Sequence, residues 1–265
     1  MKGAGMGLLR LLCVAGLLLC GSVLAAEPPT LRICHEPADI HPWSTRTGKG
    51  LNFELLAQVA KTSGVRFEYD IVPWKRCLIL LKNNEVDGAF AGSFKPDRME
   101  SGAYPMAAGK PDTAKRLHID RYVLVRRLGS PVGWDGKRLT NLKGVVGVQL
   151  GYSIADQLKS MQIDVDEGAQ SAEDVLRKLV TGRVDAAALL TGEAQALLAR
   201  TPELAARVEV LSEPLVEKPY FLLLSHGLVA RDEKLALRIW DNIEKIRESG
   251  TYQARERAVF AGGVR

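Results

Sequence analysis

Short apolar runs alternate with amphipathic stretches along most of the chain. Leu31-Arg32-Ile33-Cys34 reads as a strand, Leu51 to Thr62 as a helix, Val65 to Val72 as a strand, Trp74 to Asn83 as a helix and Val86 to Ala91 as a strand. An irregular stretch marked by Pro and Gly, Tyr104 to Asp112, separates this βαβαβ series from a second one. The second begins at Tyr122 to Val125. It continues with Val145 to Leu150, helices from Ser153 and Ser171, the strand Val184 to Leu190, a helix from about Gly192 and a strand Val208 to Leu211. Ser153 with Asp156 and Ser171 with Asp174 carry a helix-start signature of the type Ser-x-x-Asp. A strand at Tyr220 to Leu224 follows. A last helix opens at Asp232, shares Leu235, Ile239, Ile243 and Ile246 on one face, and is expected to close at Gly250. Such alternation predicts an α/β chain whose largely parallel sheets carry helices on both faces, and two series predict two doubly wound lobes.

The first 25 residues break the pattern. Lys2 and Arg10 precede an apolar run of 14 residues, Leu11 to Leu24, and Val23-Leu24-Ala25 fits the small-residue rule of a cleavage site. Residues 1–25 therefore read as a secretory signal peptide, too short to span a bilayer, and the mature protein is expected in the periplasm. The rival reading is a lipoprotein processed at Cys20, but Leu19 stands where that motif wants a small residue.

Composition fits a globular chain: 46% of the residues are hydrophobic and 25% charged, so a sizeable core is affordable. The net charge is +5, or +3 once Lys2 and Arg10 are removed, and the basic pairs Lys115-Arg116 and Arg126-Arg127 lack interleaved aromatics. Nucleic acid is not an expected partner. With Cys13 and Cys20 gone, Cys34 and Cys77 remain, and an oxidising compartment predicts one disulfide between them. The stretch Cys34 to Trp43, CHEPADIHPW, is rich in metal-binding residue types. However, His35 and His41 are six residues apart with Pro37 between them, and only His118 and His226 remain elsewhere. A helical HExxH site is excluded, and no metal or other cofactor is expected.

Several stretches, in order, resemble the periplasmic solute-binding proteins of polar-amino-acid ABC transporters, the extracellular solute-binding family 3. They are GKGLNFELLAQVAKTSG (48–64), KNNEVDGAFAGSFKPDR (82–98), LKGVVGVQLGYS (142–153), VTGRVDAAAL (180–189) and RESGTYQARERAVF (247–260). The resemblance implies a type 2 periplasmic-binding fold: a clamp whose first lobe is 26–118 plus 218–265 and whose second is 119–217. Two hinge strands, near His118 to Arg121 and Pro214 to Lys218, would join the lobes. Its partners would be a small-molecule ligand and a membrane permease or receptor, with the protein a monomer.

Ligands of open α/β sheets bind beyond the carboxyl ends of the strands, so the segments after the strands are candidates for the site. By resemblance Arg98 matches a carboxylate clamp, which a planar guanidinium serves through paired hydrogen bonds, with Ser93 adding a hydroxyl. Trp74 matches a ring beside the ligand, and Arg76 is its neighbour. Tyr152 and Ser153 precede a helix start, where backbone N–H groups favour anions, although Ser153 could equally serve as a cap. Glu36 and Asp39, in the loop after the first strand, are candidate acceptors for a positive group, with Trp43 expected to pack beneath that loop.

The leading reading is non-catalytic capture of a small polar molecule. An enzyme resembling cyclohexadienyl dehydratase, with Glu36 or Glu193 as general acid, and a ligand-sensing module are the alternatives. Leu190 stands where amino-acid binders of the resembled family carry the aspartate that holds the α-ammonium. Either Glu36, Asp39 or Glu193 replaces that carboxylate, or the ligand is a carboxylate-bearing molecule other than a standard α-amino acid. The second option is favoured here, because a buried unpaired ammonium is costly.

Overall fold

The computed structural model describes residues 27–261. The expected signal peptide, residues 1–25, with its Val23-Leu24-Ala25 site and with Cys13 and Cys20, lies outside these residues.

The first series folds as expected: β1 (Thr30–His35), α1 (Leu51–Ser63), β2 (Arg66–Ile71), α2 (Trp74–Lys82) and β3 (Gly88–Ser93). β1 pairs in parallel with β2 and β3, and its alternation buries Leu31 and Ile33 while Arg32 faces solvent. A small hairpin, β4 (Met106–Ala107) with β5 (Lys110–Pro111), fills the irregular stretch before β6 (His118–Arg127). A second hairpin, β7 (Gly133–Trp134) with β8 (Leu139–Thr140), leads into β9 (Val146–Gln149), α3 (Ile154–Ser160), β10 (Val165–Ala169) and α4 (Ala172–Val180). β11 (Ala186–Leu190), α5 (Thr191–Arg200), the short α6 (Pro202–Ala205) and β12 (Val208–Leu224) follow. The chain closes with α7 (His226–Arg231), α8 (Glu233–Arg247) and α9 (Gly250–Ala261).

One curled sheet, ordered β10-β9-β11-β6-β12-β3-β1-β2, runs through the molecule. β1 to β3 form one lobe and β9 to β11 the other, and the antiparallel pair β6 and β12 passes through both. β12 explains this continuity. The two strands expected at Val208 to Leu211 and Tyr220 to Leu224 are one element of 17 residues. It pairs with β6 from Val208↔Arg127 to Tyr220↔His118, then with β3 from Tyr220↔Ser93 to Leu224↔Gly88. Its register slips between Val210 and Val216, around Pro214, which has no N–H to give to a ladder.

Two other expectations need correction. Gly250 does not end the last helix: α8 stops at Arg247, Glu248 caps it in right-handed geometry, and Gly250 is the first residue of α9. β10, sequence VDEGA, escaped notice because an edge strand with mostly half-buried residues has little apolar periodicity.

The first core gathers Ile33, Leu55, Leu81, Phe90, Leu222 and Ile239 between the sheet and α1, α2 and α8. The second gathers Val125, Val175, Leu176, Leu189 and Leu197 against α4 and α5. Cys34 at the end of β1 and Cys77 in α2 are joined by a disulfide, with Cα atoms 5.6 Å apart and both residues fully buried.

Candidate functional site

The carboxyl ends of β1, β3, β9 and β11 and the crossing strands β6 and β12 converge on one cavity between the lobes. Glu36 comes from the loop after β1, Trp74 from the start of α2 and Ser93 from the end of β3. Arg98 comes from the 3₁₀ turn Pro96–Glu100, Tyr152 and Ser153 from the loop after β9, and Leu190 from the end of β11. β6 contributes His118, Asp120 and Tyr122 from one face, as residues two apart on a strand must, and β12 contributes Tyr220.

Arg98 sits at the meeting point of the lobes. Its Nη1 donates to the Ser93 carbonyl at 2.6 Å and to Ser93 Oγ at 3.1 Å, and its Nη2 donates to the Gly151 carbonyl at 2.7 Å. The guanidinium lies 5.3 Å from the centre of the Trp74 ring, a cation–π arrangement. Only 5% of Arg98 is exposed, and no carboxylate pairs with it among the described residues. Ser93 Oγ and Ser153 Oγ are 2.7 Å apart across the cleft. Lys218 donates to the Ser153 carbonyl at 3.0 Å and to its Oγ at 3.2 Å. The Tyr152 hydroxyl donates to the Glu36 carboxylate, again from lobe to lobe.

Burial dominates the electrostatics. It pushes Glu36 up to about 7, against the Tyr152 hydrogen bond and the Arg98 charge. It also pushes Asp120 up to about 7, against the Arg121 N–H and Trp43, and it lowers His118 to about 3. Glu193, in the first turn of α5, rises to about 8 through burial and then the charge of Glu36, with Gln149 donating to its Oε1 at 3.0 Å. Lys218 falls to about 8 through burial and then repulsion by Arg98.

The walls are tight. About 30 Å³ remains for the centres of water-sized molecules, room for roughly two waters, so an amino-acid-sized guest requires the lobes to part. The contact between lobes is close elsewhere too: a Cβ added to Gly192 would stand 1.7 Å from the His41 carbonyl oxygen, and Lys95 pairs with Asp156 at 2.7 Å.

Of the residues expected at the site, Arg98, Ser93, Trp74, Ser153, Glu36 and Tyr152 line this cavity. Two do not. The Asp39 carboxylate accepts from the Arg46 N–H, Nε and Nη2 at 2.7–3.0 Å, and Arg76 is exposed on α2, because its position on the helix turns it away from the sheet. Ser153 stands at the N-cap position of α3 but makes no side-chain capping bond, its hydroxyl being engaged across the cleft. Ser171 does cap α4, accepting from the Asp174 N–H at 3.1 Å. Trp43 is itself a wall of the cavity, stacked on His118 with ring centres 4.2 Å apart.

Sequence reasoning missed Asn52, His118, Asp120, Tyr122 and Tyr220 as cavity residues. The alternation of His118, Asp120 and Tyr122 in a strand expected to cross the cleft was the available signal. No group of three or more His, Cys, Asp or Glu among the described residues is placed to hold a metal ion.

No protein-family pattern matches the chain and no curated protein matches it. Solved structures do. An ancestral arginine-binding protein bound to glutamine is 22% identical, with a TM-score of 0.68 over 87% of this chain and 97% of that one. A histidine kinase sensor domain with similarity to periplasmic binding proteins gives 18% identity and a TM-score of 0.69 over 88% and 96%. The GluR0 ligand-binding core from Nostoc punctiforme, in complex with L-glutamate, gives 20% identity and a TM-score of 0.62 over 84% and 96%. At these identities the likeness establishes architecture: the chain has the two-lobed periplasmic-binding-protein fold.

Proposed function

We propose that this protein is a periplasmic solute-binding protein that closes two lobes over a small carboxylate-bearing molecule and delivers it to an ABC transporter. The first lobe would be 26–118 with 218–265 and the second 119–217. The observation that carries this reading is Arg98: a guanidinium 95% removed from solvent, bound only to carbonyls and a hydroxyl, at the contact between lobes. A buried cation without a counter-charge is destabilising by several kcal/mol, and an anionic ligand would relieve that cost. The carbonyl of Gly151 and the hydroxyl of Ser93 are neutral partners that a carboxylate could displace with bidentate geometry.

The fold shared with an arginine-binding protein and with a glutamate-binding receptor core supports capture of a small polar molecule, and binding within a cleft supports hinge closure as the working motion. No step of catalysis is required. Residues 27–261 include no helix long and apolar enough to cross a membrane, so transport would need a separate permease. A thermal-shift screen of the full chain against amino acids, dicarboxylates and other small carboxylates tests the proposal. A specific ligand at 100 times its dissociation constant adds about 2.7 kcal/mol of stability. Absence of any shift from carboxylates, with a shift from uncharged sugars, would overturn it.

A further inference from the structure

Glu193 and Gln149 meet inside the second lobe with two atoms left over. Gln149 Nε2 donates to Glu193 Oε1 at 3.0 Å, yet Glu193 Oε2 and Gln149 Oε1 are both buried without a hydrogen-bond partner. Glu193 is 6% exposed and Gln149 1%. An ionised carboxylate can only accept, so it offers nothing to the amide oxygen. One proton on Oε2 makes it a donor, and a carboxylic acid then matches the amide donor for acceptor. Buried polar atoms are rarely left unpaired, and these two orphans belong to groups whose other atoms are already bonded to each other. A cation does not take the proton's place: Arg200, on the same helix, is turned to Asp39 at 3.6 Å, and the carboxylates that face Glu193, Glu36 and Asp120, add repulsion.

We infer that the form with its lobes in contact binds a proton at Glu193, so that closure takes up a proton and opening releases it. This goes beyond the capture reading and rests only on the movement of the lobes.

Closure supplies both causes that hold the proton. Glu193 is the third residue of α5, and its neighbour Gly192 lies so close to the His41 carbonyl that a Cβ there would stand 1.7 Å from the oxygen. The loop after β1 thus covers this helix start from the first lobe. The same loop carries Glu36, whose carboxylate accepts from the Tyr152 hydroxyl of the second lobe. Parting the lobes lifts the cover and withdraws the charge of Glu36, so Glu193 returns towards the ordinary carboxylate range. A freed helix start also favours the ionised form.

The groups around the pair leave the proton on Glu193. Arg98 and the Tyr152 hydrogen bond favour an ionised Glu36, Tyr122 faces it as a neutral phenol, and His35 bonds only its backbone carbonyl. Tyr152, raised by burial and by both carboxyls, keeps its own proton. His118 and His35 pack on Trp43 and Phe53 of the first lobe, contacts that opening leaves in place. Glu193 is pushed up to about 8 with the lobes in contact. A carboxyl raised in the closed form favours that form fully below the ordinary carboxylate range, and the preference is lost as pH rises through about 8. Lys218, lowered to about 8, acts in the opposite sense and above that range.

The test needs no ligand. Infrared spectra of the full chain at neutral pH are expected to show the carbonyl band of a protonated carboxylic acid, diminished in Glu193→Gln. Absence of any such band from the unaltered protein would overturn the inference without relying on a variant, as would a band that Glu193→Gln leaves intact. Small-angle scattering at about pH 6 and about pH 8 reads closure itself. The closed-to-open ratio of the unaltered protein is expected to fall by up to about tenfold per pH unit, so its radius of gyration grows. Glu193→Gln, whose amide can keep both bonds to Gln149 without a proton, is expected to hold the smaller radius at both values. Equal radii for the unaltered protein, or the same growth in Glu193→Gln, would overturn the inference. Neither measurement involves a carboxylate ligand or Arg98, so the capture reading stands or falls separately.

Discussion

Arg98 Nη2 donates to the backbone carbonyl of Gly151 at 2.7 Å, so a side chain anchored beside β3 closes its hydrogen bonding on the loop after β9, in the other lobe. The residue best placed to hold a carboxylate is thus also a latch between the lobes. On the proposed function, ligand binding and closure would draw on the same group, and opening would expose a guanidinium to an anion.

Closure depends on the absence of a side chain at residue 192. A Cβ there would lie 1.7 Å from the His41 carbonyl oxygen, and backbone cannot move aside as a flexible side chain does. Gly192→Ala is expected to hold the lobes apart and weaken ligand binding by about tenfold or more, because the competent state becomes a minor one. Small-angle scattering should show a larger radius of gyration that ligand fails to reduce. A variant that contracts like the unaltered protein would contradict this contact.

Stability should fall as pH rises through neutrality. Glu193, Asp120 and Glu36 are held at about 8, about 7 and about 7, chiefly by burial. A carboxyl raised in the folded state binds more protons there than in the unfolded chain. Its contribution is complete below the ordinary carboxylate range and is lost as pH rises through 7 to 8. His118 and His35, both lowered by burial, act the other way, losing their contribution as pH falls below the ordinary histidine range. Lys218, at about 8, acts mainly above that pH. Between pH 7.5 and 6.5 the three carboxyls prevail, and the unliganded protein is expected to gain on the order of 1 kcal/mol. Urea midpoints measure it, Glu193→Gln should shrink the gain, and a flat response would contradict the burial argument.

The Cys34–Cys77 disulfide ties the end of β1 to α2 with a sequence separation of 43. In the chain-entropy description a loop of that size is worth about 4 kcal/mol, often less in practice. Replacing both cysteines by alanine is expected to lower the urea midpoint by an amount in that range while the lobes still close on ligand. An unchanged midpoint would show that the bridge constrains little.

Much of the architecture is readable from apolar periodicity. Buried strands such as β3 and β11 announce themselves as apolar runs, and α1 and α8 as stripes. Arg98 was legible because it follows such a strand and matches the carboxylate clamp of the resembled family. β12 was not, because Glu213, Pro214, Glu217 and Lys218 interrupt its pattern where pairing with β6, rather than apolar burial, holds the strand. Ser153 and Ser171 share one signature and have different fates, since only Ser153 faces a hydroxyl and an ammonium in the cleft. Asp120 was read as part of a hinge. Among the described residues its carboxylate has no paired cation, since Arg121 turns outward to Glu217, a pairing between distant segments that no local pattern encodes.

The most direct test of the central claim is calorimetric titration of the unaltered protein and of Arg98→Ala with the tightest carboxylate found in the thermal screen. A carboxylate buried without its guanidinium loses on the order of 3 to 5 kcal/mol, so the variant is expected to bind weakly or not at all while retaining its fold by circular dichroism. Unchanged affinity in Arg98→Ala would remove Arg98 from the site and contradict carboxylate capture between the lobes.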